Sequence, residues 1–178
     1  MKKQTVLKGS NFILRPYRKN DKVSITKHAN NKKMARDFSF PYPFTIKDAE
    51  KYIKSKINQP NEITSNFVIE IDGEAVGAIG FDLKQEFKTT IGYWLGERFW
   101  GKGITSEALK LVTDHAFKNL KKLRRVEGVV YSWNEASKKV LENNGYICEG
   151  LLRNYVKRGS KLINVYMYAK IKQVSKDK

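Results

Sequence analysis

One stretch constrains the fold more than any other: Ile91-Gly92-Tyr93-Trp94-Leu95-Gly96-Glu97-Arg98-Phe99-Trp100-Gly101-Lys102-Gly103-Ile104-Thr105-Ser106-Glu107-Ala108. An alternating, strand-like run ends at Leu95, a turn with two glycines follows, and an apolar-periodic helix pattern begins at Gly103. Strand, glycine turn and helix in that order make an anion cradle, in which backbone N–H groups and a helix N-terminus face a phosphate. A ligand-free structural turn also explains two glycines. The surrounding chain has to decide between these readings.

Two phosphate motifs almost fit. Gly96 to Gly103 reads G-x-x-x-x-G-K-G, but a Walker A loop needs Ser or Thr where Gly103 stands, to hold Mg²⁺. Gly101 to Ser106 reads G-x-G-x-x-S, and Ser106 passes as the third small residue of a dinucleotide fingerprint. That fingerprint opens a βαβ unit of parallel strands. Here an antiparallel meander precedes the turn. Ser65 to Ile71 reads as a strand, Asp72-Gly73 as a hairpin turn, Ala75 to Leu83 as the returning strand and Thr89 to Leu95 as the third. Both nucleotide motifs are therefore set aside.

The rest of the chain completes an α+β pattern. Phe12 to Tyr17 reads as a first strand stopped near Pro16, and Asn20-Asp21 caps a helix to about Asn30. Thr45 caps a helix with Ala49, Tyr52, Ile53 and Ile57 at helical spacing. After the helix of residues 103–119, with His115 a packed side chain rather than a base, comes a basic loop, Lys121 to Arg125. Val126 to Ser132 is a strand, and Asn134 opens a helix that stops at Asn144-Gly145. Tyr146 to Leu152 and Leu162 to Lys170 are the last strands, with Arg153 to Lys161 read as a polar loop.

Composition narrows the class. The chain has 178 residues, 40% of them hydrophobic and 12% aromatic, enough for one domain with a packed core. No apolar run approaches the roughly 20 residues of a membrane span, and no apolar signal core follows Met1. We therefore expect a cytoplasmic protein with no membrane partner. One cysteine, Cys148, leaves no disulfide framework and no multi-cysteine metal site, so no metal is expected. The net charge of +17 is uneven: +11 over residues 1–60, −4 over 61–117 and +10 over 118–178. Such a chain favours polyanions or phosphate-bearing ligands, or simply has a lysine-rich solvated surface.

With the turn placed after a meander, the residues resemble the GNAT superfamily of N-acetyltransferases. Arg98-x-x-Gly101-x-Gly103 matches its Q/R-x-x-G-x-G/A signature. Gly92-Tyr93-Trp94-Leu95, Trp100 to Ile104 and Glu107-Ala108 resemble its ribosomal-protein N-terminal branch. So does Asn134-x-x-Ser137-x-x-Val140-Leu141-Glu142-x-x-Gly145-Tyr146, ending in Glu149-Gly150. The resemblance implies a single domain over residues 1–178, with its core at about 10–170 and a basic tail at 171–178. It implies a central, mostly antiparallel twisted sheet of about seven strands, splayed in the middle where one strand bends at a bulge, with about four flanking helices.

The resemblance also implies acetyl-CoA as co-substrate and an amine as acceptor. The pantetheine arm maps to Tyr93, Trp94 and Leu95, and the pyrophosphate to Arg98, Gly101, Lys102, Gly103, Ile104 and Thr105. Asn134 maps to the other wall, and as a helix N-cap it has a structural role as well. Direct attack of a neutral amine on a thioester needs a proton acceptor, an oxyanion donor and a partner for the departing thiolate. Many members carry an acidic tyrosine seven residues after the asparagine, where this chain has Leu141. In the ribosomal-protein branch a serine substitutes, here Ser137, with Tyr131 and Tyr155 as backups. Glu127, and behind it Asp82, are the candidates for the base, and each also reads as a solvated strand residue.

The acceptor is open: a protein N-terminal α-amine, a ribosomal protein or the ribosome surface among its settings, or a small-molecule amine. Trp133, Phe38, Phe40, Tyr42 and Phe44 are candidate pocket walls, with core anchoring expected for at least two of the four N-terminal aromatics. A homodimer is compatible with the resemblance. Two other functions compete: a non-catalytic acetyl-CoA sensor, and a basic module that sets Arg98 and Lys102 on a nucleic-acid backbone. The second lacks aromatics interleaved with its basic runs.

Overall fold

A computed structural model describes residues 5–38, 40–57, 65–82 and 85–173. Leu83 and residues 174–178, part of the expected second meander strand and tail, lie outside these. The chain runs β1 (Leu7–Lys8), β2 (Ile13–Arg15), a 3-10 turn, α1 (Lys22–Ala29), α2 (Lys32–Asp37), α3 (Ile46–Ile57), β3 (Asn66–Ile71), β4 (Glu74–Asp82) and β5 (Lys88–Leu95). A second 3-10 turn leads to α4 (Ile104–Asn119), β6 (Arg125–Tyr131), α5 (Glu135–Glu142), β7 (Ile147–Arg158) and β8 (Lys161–Ile171). Among the described residues one eight-stranded sheet has the order β1-β2-β3-β4-β5-β6-β8-β7, and only its β5–β6 pair is parallel.

Alternation sorts the strand residues onto two apolar faces. Phe67, Ile69, Ile91 and Leu95 pack with Leu109 and Val112 of α4 and Leu141 of α5. Their neighbours Val68 and Trp94 point the other way, to Ile25 of α1, Met34 of α2 and Ala49 and Ile53 of α3. Phe44 is buried in this second layer, and Phe40 packs against Phe44, Tyr52 and Trp94 at 5.0–5.6 Å between ring centroids. These two of the four N-terminal aromatics are core anchors. Tyr42 is exposed, with Lys32 over its ring. The layer is pinned by Arg15, buried at the end of β2. It donates to both oxygens of Asp21 at 2.7 and 2.9 Å and also to Glu70 of β3.

Three features depart from the sequence expectation. Among the described residues there are eight strands and five α-helices, one of each beyond the approximate expectation. The extra helix, α2, is a six-residue element with Met34 as its one buried side chain, so no periodicity announces it. Its cap is Asn31, whose side chain accepts the Lys33 N–H at 2.7 Å. The segment read as a loop at Arg153–Lys161 is mostly strand. β7 continues to Arg158 and pairs with β8 as far as Arg158↔Lys161, with a register shift at 152/156. β7 is an edge strand, exposed along most of its length, so its residues carry no apolar alternation to read. The third departure is the bulge, expected on the strand that leaves its neighbour. Register shifts fall between β3 and β4 and between β7 and β8, while β5 pairs regularly with β4 through Leu95.

Candidate active site

The sheet opens without a bulge. β5 and β6 pair from Lys88↔Arg125 to Ile91↔Gly128 and then separate. β4 keeps β5 as far as Leu95, and β8 keeps β6 as far as Tyr131. Each strand is held on its outer side, so the gap is a rigid wedge. Antiparallel ladders alternate bonded and unbonded pairs. The Gly96 N–H bonds Val76 O at 2.8 Å, which assigns Trp94 and Gly92 to the bonded set. Tyr93 and Leu95 therefore turn their backbone groups toward the gap. The Leu95 carbonyl is taken by Trp100 Nε1 at 2.6 Å. The Tyr93 N–H and C=O and the Leu95 N–H remain.

At the wide end of the wedge stands the glycine turn. Gly101 and Gly103 sit at φ +73° and +75°, in the left-handed region that favours glycine. Gly103 caps α4 with no side-chain bond to the first turn, so the helix presents bare N–H groups. The acidic residue of that turn, Glu107, is drawn outward by Ser10, whose N–H and hydroxyl bond it at 2.8 and 2.6 Å.

Across the gap, Asn134 Oδ1 accepts the Ser137 N–H at 3.0 Å and so caps α5. The Ser137 hydroxyl lies 2.9 Å from the Tyr93 hydroxyl, which is also 3.3 Å from the Ser137 carbonyl. Burial pushes the Tyr93 phenol up to about 12, with the Ser137 hydrogen bond pulling the other way. Leu141 is buried on Gly128, where an added Cβ would come within 2.9 Å of it. The position that carries a tyrosine elsewhere is a core position here.

Two adjoining spaces fill the wedge. The larger, about 550 Å³, is lined by Tyr93, Trp94, Leu95, Gly101, Lys102, Gly103, Ile104, Thr105, Asn134 and Ser137. Trp100, Ser106 and Trp133 line it too. The smaller, about 220 Å³, lies between the diverging strands, against Gly92, Gly128 and Tyr131. Arg98 lines neither space. Its exposed guanidinium lies 4.9 Å from the Phe99 ring centroid. Glu127 lines neither as well: it is opposite Thr90 at the closed end of the wedge, bonded to Arg125 at 2.7 Å and 3.6 Å from Lys88. Asp82 is exposed at the end of β4, and Tyr155 is exposed on the β7–β8 hairpin. Tyr131 stacks on Trp133 with ring centroids 4.9 Å apart.

Asp37, Phe38, Tyr93, Asn134 and Ser137 line both spaces. Phe38 was a sequence candidate, whereas Asp37 was not, because the helix that carries it was not legible. Trp100 belongs to the motif of residues 91–108, which by itself assigns it no role. Its bond to Leu95 O could not be seen from a position five residues along the chain.

The family model described as Acetyltransferase (GNAT) domain matches residues 11–147. The uncharacterized N-acetyltransferase p20 of Bacillus licheniformis is 36% identical over 110 residues, and the match spans 61% of each chain. The ribosomal-protein-serine acetyltransferase of Escherichia coli (strain K12) is 34% identical over 107 residues, 59% of each chain. The match thus spans about three fifths of the length of these relatives. A GNAT-family acetyltransferase structure from Bacillus anthracis superposes with a TM-score of 0.82 at 22% identity, covering 94% of this chain and 98% of that one.

Proposed function

Because the chain belongs to the GNAT acetyltransferase family, we propose that it transfers an acetyl group from acetyl-CoA directly to an amine. The observation that carries this is the wedge. A bare helix N-terminus with Lys102 stands at one end, free strand backbone runs along one wall, and a Tyr93–Ser137 hydroxyl pair stands at the far end. A pyrophosphate suits the turn. An amide-bearing arm suits the Tyr93 and Leu95 backbone, as an added half-strand. The Asn134 Nδ2, with its Oδ1 committed to the cap, is a donor for the same arm. The acceptor is either a protein N-terminal amine, with ribosomal proteins as one class, or a small amine, and the setting is the cytoplasm.

Ser137 is placed to hydrogen-bond the departing sulfur, and Tyr93 sets its hydroxyl. Tyr93 is not the acid. A thiol near its ordinary value of about 8.5 is a far stronger acid than a phenol at about 12. Proton transfer from Tyr93 to the thiolate would be uphill. A phenol that keeps its proton can donate to Ser137 Oγ and leave the serine hydrogen for the sulfur. Ser137→Ala and Tyr93→Phe are therefore each expected to lower kcat about tenfold, the loss of one hydrogen bond to a charged group. The double variant should be little worse than Ser137→Ala alone, because both changes remove one coupled unit. Additive losses in steady-state kinetics would separate the two residues.

CoA itself is the first test. At 100 times its Kd, a ligand that binds only the folded state adds about 2.7 kcal/mol, and for a chain of this size Tm should rise by roughly 5–10 °C. No shift at millimolar CoA would remove the acetyltransferase and sensor readings together. A screen of polyamines, aminoglycosides and N-terminal peptides with acetyl-CoA then distinguishes turnover from sensing.

A further inference from the structure

Among the residues lining the smaller space, Asp37 is the one carboxylate. It ends α2, and its side chain is 9% exposed. Oδ1 accepts Arg36 Nε at 2.7 Å and Trp133 Nε1 at 3.1 Å. Oδ2 accepts Arg36 Nη2 at 2.9 Å. A carboxylate offers about four acceptor positions. Among the described residues three donors fill these, and the remaining position is on Oδ2. The Arg36 side chain is 64% exposed, so the charge that balances Asp37 sits on the solvent side while the carboxylate sits inside. Arg158 also faces this corner. It is committed to the Ala35 and Arg36 carbonyls that end α2, and its guanidinium lies 5.4 Å from the Tyr131 ring centroid.

The same space ends on Ser137 and is walled by the rings of Phe38, Tyr93 and Tyr131. An amine that attacks a thioester held along β5 has to stand there. Amines arrive protonated: a lysine-type amine has a pKa near 10.4 and an α-amine one near 8. Aromatic faces and a carboxylate are the groups that hold an ammonium as it leaves water. At about 220 Å³ the space is smaller than the roughly 300 Å³ at which sites for drug-sized ligands begin. It admits a narrow amino end and excludes bulk. Gly92 matters here through the side chain it lacks, since an added Cβ would meet no protein atom within 4 Å.

We infer that Asp37 is the ammonium-binding end of the acceptor site, and that the acceptor class is a primary amine presented as a cation on an unbranched stem. This rests on the acetyltransferase reading. It goes beyond that reading by naming the residue that selects the acceptor. Arg36 then competes with the ammonium for the same carboxylate, which gives the two residues opposite effects.

The test uses the full chain saturated with CoA, with n-butylammonium chloride and n-butanol as probes at matched ionic strength. Binding is followed by tryptophan and tyrosine fluorescence or by NMR. The cation should bind at least tenfold more tightly than the alcohol. Asp37→Asn should erase that preference, and Arg36→Gln should strengthen cation binding several-fold. Gly92→Val should weaken both probes. Equal affinity for the cation and the alcohol in the unmodified protein overturns the inference, as does a preference that survives Asp37→Asn. So does an Arg36→Gln protein that binds the cation no better. If Asp37→Asn also loses CoA, whose space Asp37 lines too, Arg36→Gln alone decides. Failure of the unmodified protein to bind CoA overturns the acetyltransferase reading instead.

Discussion

Gly103→Val is expected to lower CoA affinity by about 100-fold and to cost a further 1–3 kcal/mol of stability. The two effects have separate causes. Gly103 is held at φ +75°, and a β-branched residue there is strained whatever room it has. An added Cβ meets no protein atom within 4 Å, so the isopropyl group would extend into open space. That space is the one lined by the first turn of α4, where a pyrophosphate would approach the bare N–H groups. Titration calorimetry with CoA reads the first effect and thermal unfolding without ligand reads the second. Lys102→Ala supplies the contrast. It removes one charge-assisted contact without strain, so affinity should fall roughly tenfold while Tm stays within a degree or two. A Gly103→Val protein that binds CoA normally would remove the turn from the site.

Arg15→Ala should cause the largest loss of stability, about 3–5 kcal/mol, because it removes the guanidinium from buried Asp21 and leaves Glu70 with the exposed Arg18 at 3.8 Å. Arg15 is 3% exposed, and the Asp21 and Glu70 side chains it joins are 7% and 14% exposed. Its partners hold its own pKa up against the opposing pull of burial. A charge taken out of water in such a cluster is tolerated only while its partners remain. For a chain of this length each kcal/mol moves Tm by about 2–4 °C, so a fall of roughly 6–20 °C is expected. Lys22→Ala breaks the pair with Glu50, whose side chains are 40% and 50% exposed, and should cost less than about 1 kcal/mol. Similar losses for the two variants, measured by urea unfolding, would show that the buried cluster is not what holds the first helical layer.

The two variants act on different parts of the molecule, and those parts differed in legibility. The strand, glycine turn and helix of residues 88–119 were readable because their determinants are local. Tyr93 to Thr105 form one continuous segment in which strand alternation, two glycines and a helix start follow one another. The Asn134 cap is local too, since it bonds a residue three positions on. The β7–β8 hairpin was not readable. Its pairing is made by backbone across an exposed edge, and an edge strand imposes no alternation on its side chains.

By itself, then, the sequence determined the α+β class, the β3–β4–β5 meander and the glycine turn leading into α4, because near-neighbour backbone geometry and burial periodicity encode each of them. Only the tertiary structure decided what stands at the end of the wedge. The Tyr93–Ser137 contact joins residues 44 apart, and the Trp133–Asp37 contact joins residues 96 apart. Both depend on where β5 leaves β6 and on how α2 docks over the gap. No local pattern records those positions. Strand divergence is set by which neighbour each strand keeps, and a short helix with one buried residue is placed by the elements that receive it. Glu127 shows the same point from the other side. As a residue type on a strand before Asn134 it suited a base, but the parallel pairing carries it to the closed end, where Arg125 and Lys88 hold it.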